Sequence, residues 1–327
     1  MNNINCNICN STKYNKLCAI KNSETGVTFD LVKCSQCGLV YINPQPTAEE
    51  LGQYYVKGEY YSYGEVLKED QGKLDLFSRI KKSFREQIFL TYGSHGNSCL
   101  KKIKMVLYFP LKRRFGGIPA FKKNGKLLDI GCGDGLFIKQ LKDVGWNVSG
   151  IEIDSEAVKR AQSHNLDVRC GKFEKLDVEN EVYDVVRLWH VLEHFNQPKQ
   201  NLKKIADILK PKGQIILGVP NIDSLYSRIF RENWSGLNVP RHLYHFSPQT
   251  IKEMLTECGY TDIKVYYKSV GTGQASVVSI MNIKLKNETL VNLLFNNAIS
   301  RLISIYLDTL LDILRLGGCL EVRAIKK

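Results

Sequence analysis

Four groups of residues carry chemistry by type and spacing. Cys6-Asn-Ile-Cys9 and Cys34-Ser-Gln-Cys37 place four soft thiolates in two C-x2-C knuckles. That donor set suits tetrahedral Zn2+ in a closed, structural site, with an iron–sulfur cluster as the alternative. Leu127-Leu-Asp-Ile-Gly-Cys-Gly-Asp-Gly135 sets glycines at 131, 133 and 135 between a strand pattern and a helix pattern. Such a loop lets backbone pass close to a ligand and turns a helix N-terminus toward a negative group, here a carboxylate. Trp189-His190-Val-Leu-Glu193-His194 follows a strand pattern, and Arg241-His242-Leu-Tyr244-His245-Phe-Ser-Pro248 precedes a helix. Imidazoles titrate near neutrality, so these histidines are candidates for moving protons.

The elements that must position these groups divide the chain in three. Residues 1–45 read as hairpins forming a zinc ribbon, closed by Asn43-Pro-Gln-Pro46. Residues 46–125 read as a link with five tyrosines between 54 and 63, followed by basic amphipathic helices. Between 66 and 126 there are 15 Lys/Arg against 4 Asp/Glu, which is most of the chain's net charge of +13. From 126 to 327 strands and helices alternate. Strand patterns cover 126–130, 147–151, 167–170, 183–188, 214–219, 262–268 and 320–325, and helix patterns cover 136–144, 155–164, 201–209 and 248–258. Alternation of this kind predicts an α/β fold, a doubly wound seven-stranded Rossmann-like sheet with helices on both faces. A lid at 220–247 and a helical insertion at 286–315, with a polar line through Asn292, Asn296, Ser300, Ser304 and Asp308, decorate this domain.

The glycine spacing is G-x-G-x-G with Leu at 136, which disfavours a dinucleotide fingerprint, and no Gly-Lys-Ser/Thr follows, which excludes a P-loop. Glu152 ends the second strand pattern, 21 residues after Gly131, where a carboxylate can take both hydroxyls of a ribose; Asp154 is the nearby alternative. Together these residues resemble the S-adenosylmethionine (SAM) loop of class I methyltransferases, from about Lys126 to Lys327. Asp129, Gly131, Gly133 and Glu152 match that family's pattern. The resemblance implies a cofactor set that also includes Cys132, Gly135 and Ile153, with Lys172 and Phe173 beside the adenine and Leu188, Trp189 and His190 at the methionine end. It implies an in-line methyl transfer in which a hydroxyl acceptor is helped by a base. His242 and His245 are the first candidates and His190 the next, with Arg241, Tyr244, Tyr60 and Tyr61 on the acceptor side. H-x-x-E-H is also an inverted zinc-protease spacing, but that needs both histidines on a helix, and His190 ends a strand pattern. Glu193 and His194 are expected to brace the helix that follows.

Over nearly its full length the chain resembles bacterial methyltransferases of surface-polysaccharide gene clusters. The resemblance rests on the four cysteines, the Asn-Pro-Gln-Pro and Tyr-rich link, W-H-V-L-E-H and N-V-P-R-H-L-Y-H-F-S-P. It implies a sugar, glycan or lipid-linked acceptor. The alternatives are an RNA-modifying methyltransferase, a sugar C-methyltransferase and a non-catalytic SAM-binding or interaction protein. The basic stretch 66–126 has three readings: a solvated helical face, contact with an anionic membrane surface, and RNA, the least favoured. With 43% hydrophobic and 24% charged residues over 327 positions, the composition is that of a globular protein rather than a disordered or collagen-like one. No secretory signal or membrane-spanning stretch is read, and scattered cysteines argue for reduced thiols. The expectation is a cytoplasmic protein, with the inner membrane face as its place of peripheral contact.

Overall fold

The computed structural model describes residues 1–22, 25–55, 116–269 and 298–327. The strands are β1 (Tyr14–Lys21), β2 (Thr28–Cys34), β3 (Val40–Ile42), β4 (Lys126–Ile130), β5 (Asn147–Glu152), β6 (Val168–Cys170), β7 (Tyr183–Trp189), β8 (Leu209–Pro220), β9 (Tyr244–His245), β10 (Tyr260–Tyr267) and β11 (Cys319–Lys326). The described helices are α1 (Ala48–Gly52), α2 (Leu136–Asp143), α3 (Ser155–Ser163), α4 (Pro198–Ile208), α5 (Leu225–Phe230), α6 (Pro248–Glu257) and α7 (Ala298–Ile313).

Seven strands form the large sheet in the order β10-β11-β8-β7-β4-β5-β6. The β4–β5, β4–β7, β5–β6 and β7–β8 pairs are parallel, whereas β11 runs antiparallel to both its neighbours. The sheet is therefore mixed, not wholly parallel as the alternation predicts. The central strands β4, β7 and β8 carry buried, largely apolar runs because both faces are covered there. One face packs Leu128, Ile130, Ile151, Val186, Leu188 and Leu217. The other packs Leu127, Val148, Val168, Val185 and Ile216 against Ile138 and Leu141 of α2 and Val158 of α3. Local signals fix the helix starts. Asp154 caps α3 by accepting from Glu156 N, and Ser247 with Thr250 forms a capping box at α6, where Pro248 opens the helix.

The small sheet has the order β1-β2-β3-β9. Its last strand comes from the segment expected to be a lid: Val40 pairs with His245 and Tyr41 with Tyr244. The N-terminal unit is thus not closed at residue 45. Phe29, Leu39, Tyr41 and Ile42 also share one apolar cluster with the large sheet. The side chains of β1 are mostly exposed, so it lacks the alternation that marks a half-buried strand.

In α7 the polar line continues to Asp312 and faces inward. Tyr226 donates to Asp308 Oδ1 at 2.6 Å, and Ser269 donates through N and Oγ to Asp312 Oδ1, both at 2.8 Å. The Tyr-rich link from residue 56, Tyr60, Tyr61, the basic stretch through residue 115 and the first part of the insertion lie outside the described residues. Among the described residues no helix is long and apolar enough to cross a membrane.

Candidate active site

The glycine loop, Glu152, Gly171 and His190 gather at the C-terminal edge of the large sheet, following β4, β5, β6 and β7, the edge at which open α/β sheets bind ligands. Gly131 has φ +73°, and a methyl there would stand 2.3 Å from Val191 Cγ2. Only glycine allows that loop to touch the turn after β7. Gly135, with φ +83°, caps α2 without any side-chain hydrogen bond. The Glu152 carboxylate is 4% exposed. It accepts from Gly133 N at 2.9 Å, Ile153 N at 2.8 Å and Asp154 N at 3.0 Å. No described basic side chain pairs with it. A buried carboxylate held by amides and facing a glycine cradle keeps lone pairs for hydroxyl donors, so these residues fit the ribose of SAM. Ile153, 56% exposed, offers an apolar surface beside it.

Other members of the expected cofactor set take different positions. Asp129 is 1% exposed and receives two hydrogen bonds from Arg187 Nη1, at 2.9 and 3.1 Å. Burial pushes its carboxyl up in pKa, against the opposing Arg187 charge. The pair lies beneath the loop. Arg187 also lies 3.7 Å from the Phe137 ring centroid and 5.1 Å from that of Trp189. Arg187 is absent from the expectations; its signal is a charge inside the apolar run Val185-Val-Arg-Leu188, in register with Asp129. The Cys132 thiol, the Phe173 ring and the Leu188 side chain are buried in the apolar clusters. They support the loops from below, and only their backbones lie at the edge. Lys172 is exposed. The Trp189 ring lies so close to Gly116, Gly117 and Gly218 that side chains at those positions would collide with it.

The expected acceptor-side residues form a buried network. Glu193, fully buried, sits among imidazoles in a short 3-10 turn after β7. Its Oε1 is 3.2 Å from His190 Nδ1 and 4.0 Å from His242 Nε2, and its Oε2 has no partner. His242 and His245 are 7% and 2% exposed. Burial lowers the pKa of His242 to about 3 and that of His245 to about 4, so both are neutral at pH 7. Burial opposes ionisation of Glu193 as well, but His190 and the surrounding imidazoles outweigh it and hold the carboxyl at about 2. Glu193 and His194 brace the lid rather than the following helix. Leu243 N donates to Glu193 O at 2.8 Å, and His194 Nδ1 lies 2.9 Å from Arg241 O. Arg241 Nε donates to Tyr54 O at 2.6 Å, and the Tyr244 hydroxyl to Asn196 O at 3.0 Å. The structure therefore places His242, His245 and Tyr244 in the interior. His190 has its side chain 42% exposed, at φ +56°. A non-glycine residue in that conformation is costly and concentrates at functional sites.

At the N-terminus the four sulfurs of Cys6, Cys9, Cys34 and Cys37 lie within 4.8 Å of one another. Cys6 Sγ is 3.3 Å from Cys37 Sγ and Cys9 Sγ is 3.5 Å from Cys34 Sγ, while Gln36 N donates to Cys34 Sγ. A tetrahedral ion with bonds of about 2.3 Å fits these donors.

The chain is similar in sequence to known proteins. A family model described as a methyltransferase domain matches residues 104–265. An uncharacterized protein of Methanocaldococcus jannaschii is 30% identical over 151 residues, 45% of this chain and 71% of that protein. The ubiquinone biosynthesis O-methyltransferase of Idiomarina loihiensis is 35% identical over 103 residues, 29% of this chain and 42% of that protein. A SAM-dependent methyltransferase of Thermotoga maritima superposes with a TM-score of 0.46 at 17% identity, covering 74% of this chain and 99% of that one. With the glycine loop and Glu152 at the edge of a seven-stranded sheet whose β11 is reversed, the chain belongs to the class I SAM-dependent methyltransferases.

Proposed function

We propose that the protein transfers the methyl group of SAM to a hydroxyl of a sugar or glycan. The observation that carries the hydroxyl is His190. It is half-exposed beside the glycine loop, in a strained conformation, with Nδ1 on the buried Glu193 carboxylate. A carboxylate that holds one ring nitrogen orients the other to take a proton, and a hydroxyl acceptor has a proton to lose. SAM supplies an electrophilic methyl. Glu152 and the glycine loop bind and orient the cofactor, and His190 in its neutral form receives the acceptor's proton. Burial lowers the pKa of His190, but Cys319 and Glu193 outweigh that and hold it at about 10, so turnover should rise with pH. The curated relative's name supports an oxygen acceptor. The sugar or glycan class is supported by the resemblance carried by W-H-V-L-E-H and the segment before α6. The four thiolates hold a structural zinc ion that stiffens the N-terminal unit, a reading supported by their number and closeness.

The test measures S-adenosylhomocysteine release over panels of sugar nucleotides, lipid-linked glycans and quinols, with mass spectrometry to locate the methyl. An O-methylated sugar whose formation collapses in His190→Gln, with SAM affinity retained, is expected. Turnover only on a quinol would move the acceptor to the relative's class. Methylation on nitrogen or carbon would overturn the hydroxyl reading.

A further inference from the structure

We propose that Glu193, His194 and His242 bind a divalent transition-metal ion of the zinc class, at a second site distinct from the four cysteines. Their ligand atoms lie within 4.8 Å of one another. The hydrogen bonds around them fix what each one offers. His242 Nδ1 is 2.9 Å from Gly236 O, and His194 Nδ1 is 2.9 Å from Arg241 O. A carbonyl can only accept, so both Nδ1 atoms carry the proton and both Nε2 atoms carry lone pairs. Glu193 Oε2 is buried without a partner. His242 Nε2 stands 4.0 Å from Glu193 Oε1, too far for a hydrogen bond between them.

Three acceptors thus converge, with Glu193 and His242 buried and His194 partly buried; Glu193 Oε1 faces His190 Nδ1, whereas Oε2 has no partner. A buried carboxylate oxygen without a donor is electrostatically unfavourable unless a cation comes to it. An imidazole that donates its far N–H to a backbone carbonyl while aiming its near nitrogen inward is the usual posture of a metal ligand. Closing the set to bonds of about 2.1 Å needs inward shifts of about 1 Å or less. Two imidazoles and one carboxylate favour zinc-like ions over Mg2+ or Ca2+, which prefer oxygen. His245 extends the same deficit: both its ring nitrogens are buried without partners, and its ring centroid is 6.4 Å from that of His242. An ion here would join the turn after β7 to the segment leading into β9, and so fix the lid. The inference does not depend on the acceptor.

The full-length chain, stripped by chelation and titrated with Co2+, separates the two sites by spectrum. A thiolate site shows an intense near-ultraviolet charge-transfer band, whereas a nitrogen and oxygen site shows weak visible d–d bands alone. The expected result is two Co2+ per chain, with the second signature lost in Glu193→Gln and His242→Ala. The thiolate band and calorimetric SAM binding report whether those variants remain folded. Glu193→Gln keeps the side-chain volume and serves if His242→Ala misfolds. A wild type that binds only one Co2+, with the thiolate signature, would overturn the proposal, as would variants that keep the second ion. A protein showing d–d bands without the thiolate band would instead refute the cysteine site and leave this one standing.

Discussion

Removing Glu152 tests the cofactor reading most directly. The carboxylate gathers three amides, two on Oε1 and that of Gly133 on Oε2. It is also the group assigned to the ribose diol in the cofactor reading. Glu152→Ala deletes charge-assisted hydrogen bonds of about 1.5–3 kcal/mol each, partly replaced by water, for a net loss of about 3 kcal/mol in SAM binding. At about 1.4 kcal/mol per tenfold, SAM affinity should fall about 100-fold. Glu152→Gln keeps an acceptor for the Ile153 and Asp154 amides but sets an NH2 group against the Gly133 amide. It should weaken SAM binding and destabilise the loop by about 1 kcal/mol, the order of one lost hydrogen bond. Calorimetric titration measures the affinities, and chemical denaturation separates a loss of fold from a loss of ligand. A folded Glu152→Ala protein that binds SAM within about threefold of wild type would refute the assignment, since about 0.7 kcal/mol is too little for this carboxylate.

Three further outcomes are expected. Arg187→Met leaves the buried Asp129 carboxylate without its partner and should cost about 3–5 kcal/mol in denaturant melts; Asp129→Leu in the same chain should recover much of it. Asp184 accepts from Lys122 Nζ, Lys126 N and Lys210 Nζ, and despite partial burial its carboxyl is held at about 2. A depressed folded pKa gives stability that is complete above the unfolded value of about 3.9 and is lost as the pH falls toward 2. Asp184→Asn should therefore cost about 1 kcal/mol at pH 7, a figure reduced for solvent screening of exposed Lys122, and the gap from wild type should close in acid unfolding curves. Cys34→Ser should speed hydrogen exchange at Tyr244 and His245 as well as in β2, because β9 is held by β3.

Much of the fold was legible because its central strands are buried on both faces. Gln214-Ile-Ile-Leu-Gly-Val219 has no alternation to misread, and Asp154, Ser247 and Pro248 announce their helices. The place of Glu152 was legible because it follows from strand and loop order alone. β9 was not, since two residues have no pattern of their own and their partner strand lies about 200 positions earlier. The burial of His242 and His245 was also hidden. A histidine in a connecting segment becomes interior only through what packs over it, here the Tyr54 carbonyl holding Arg241 and the Asn196 carbonyl holding Tyr244. The Asp129–Arg187 pair needed the β4–β7 register, which strand patterns do not state.

The pairing of β3 with β9 also sets an order of events during synthesis. Residues 1–42 leave the ribosome well before the fourth strand of their sheet, which emerges only about 200 residues later, after β4 to β8. At about 5–20 residues per second, the hairpins must wait about 10–40 s with the β3 edge uncovered. An open edge is a template for pairing with another nascent chain. Slowing translation between residues 45 and 244 should therefore lower the yield of soluble protein more than slowing it after residue 250, where the edge is already closed.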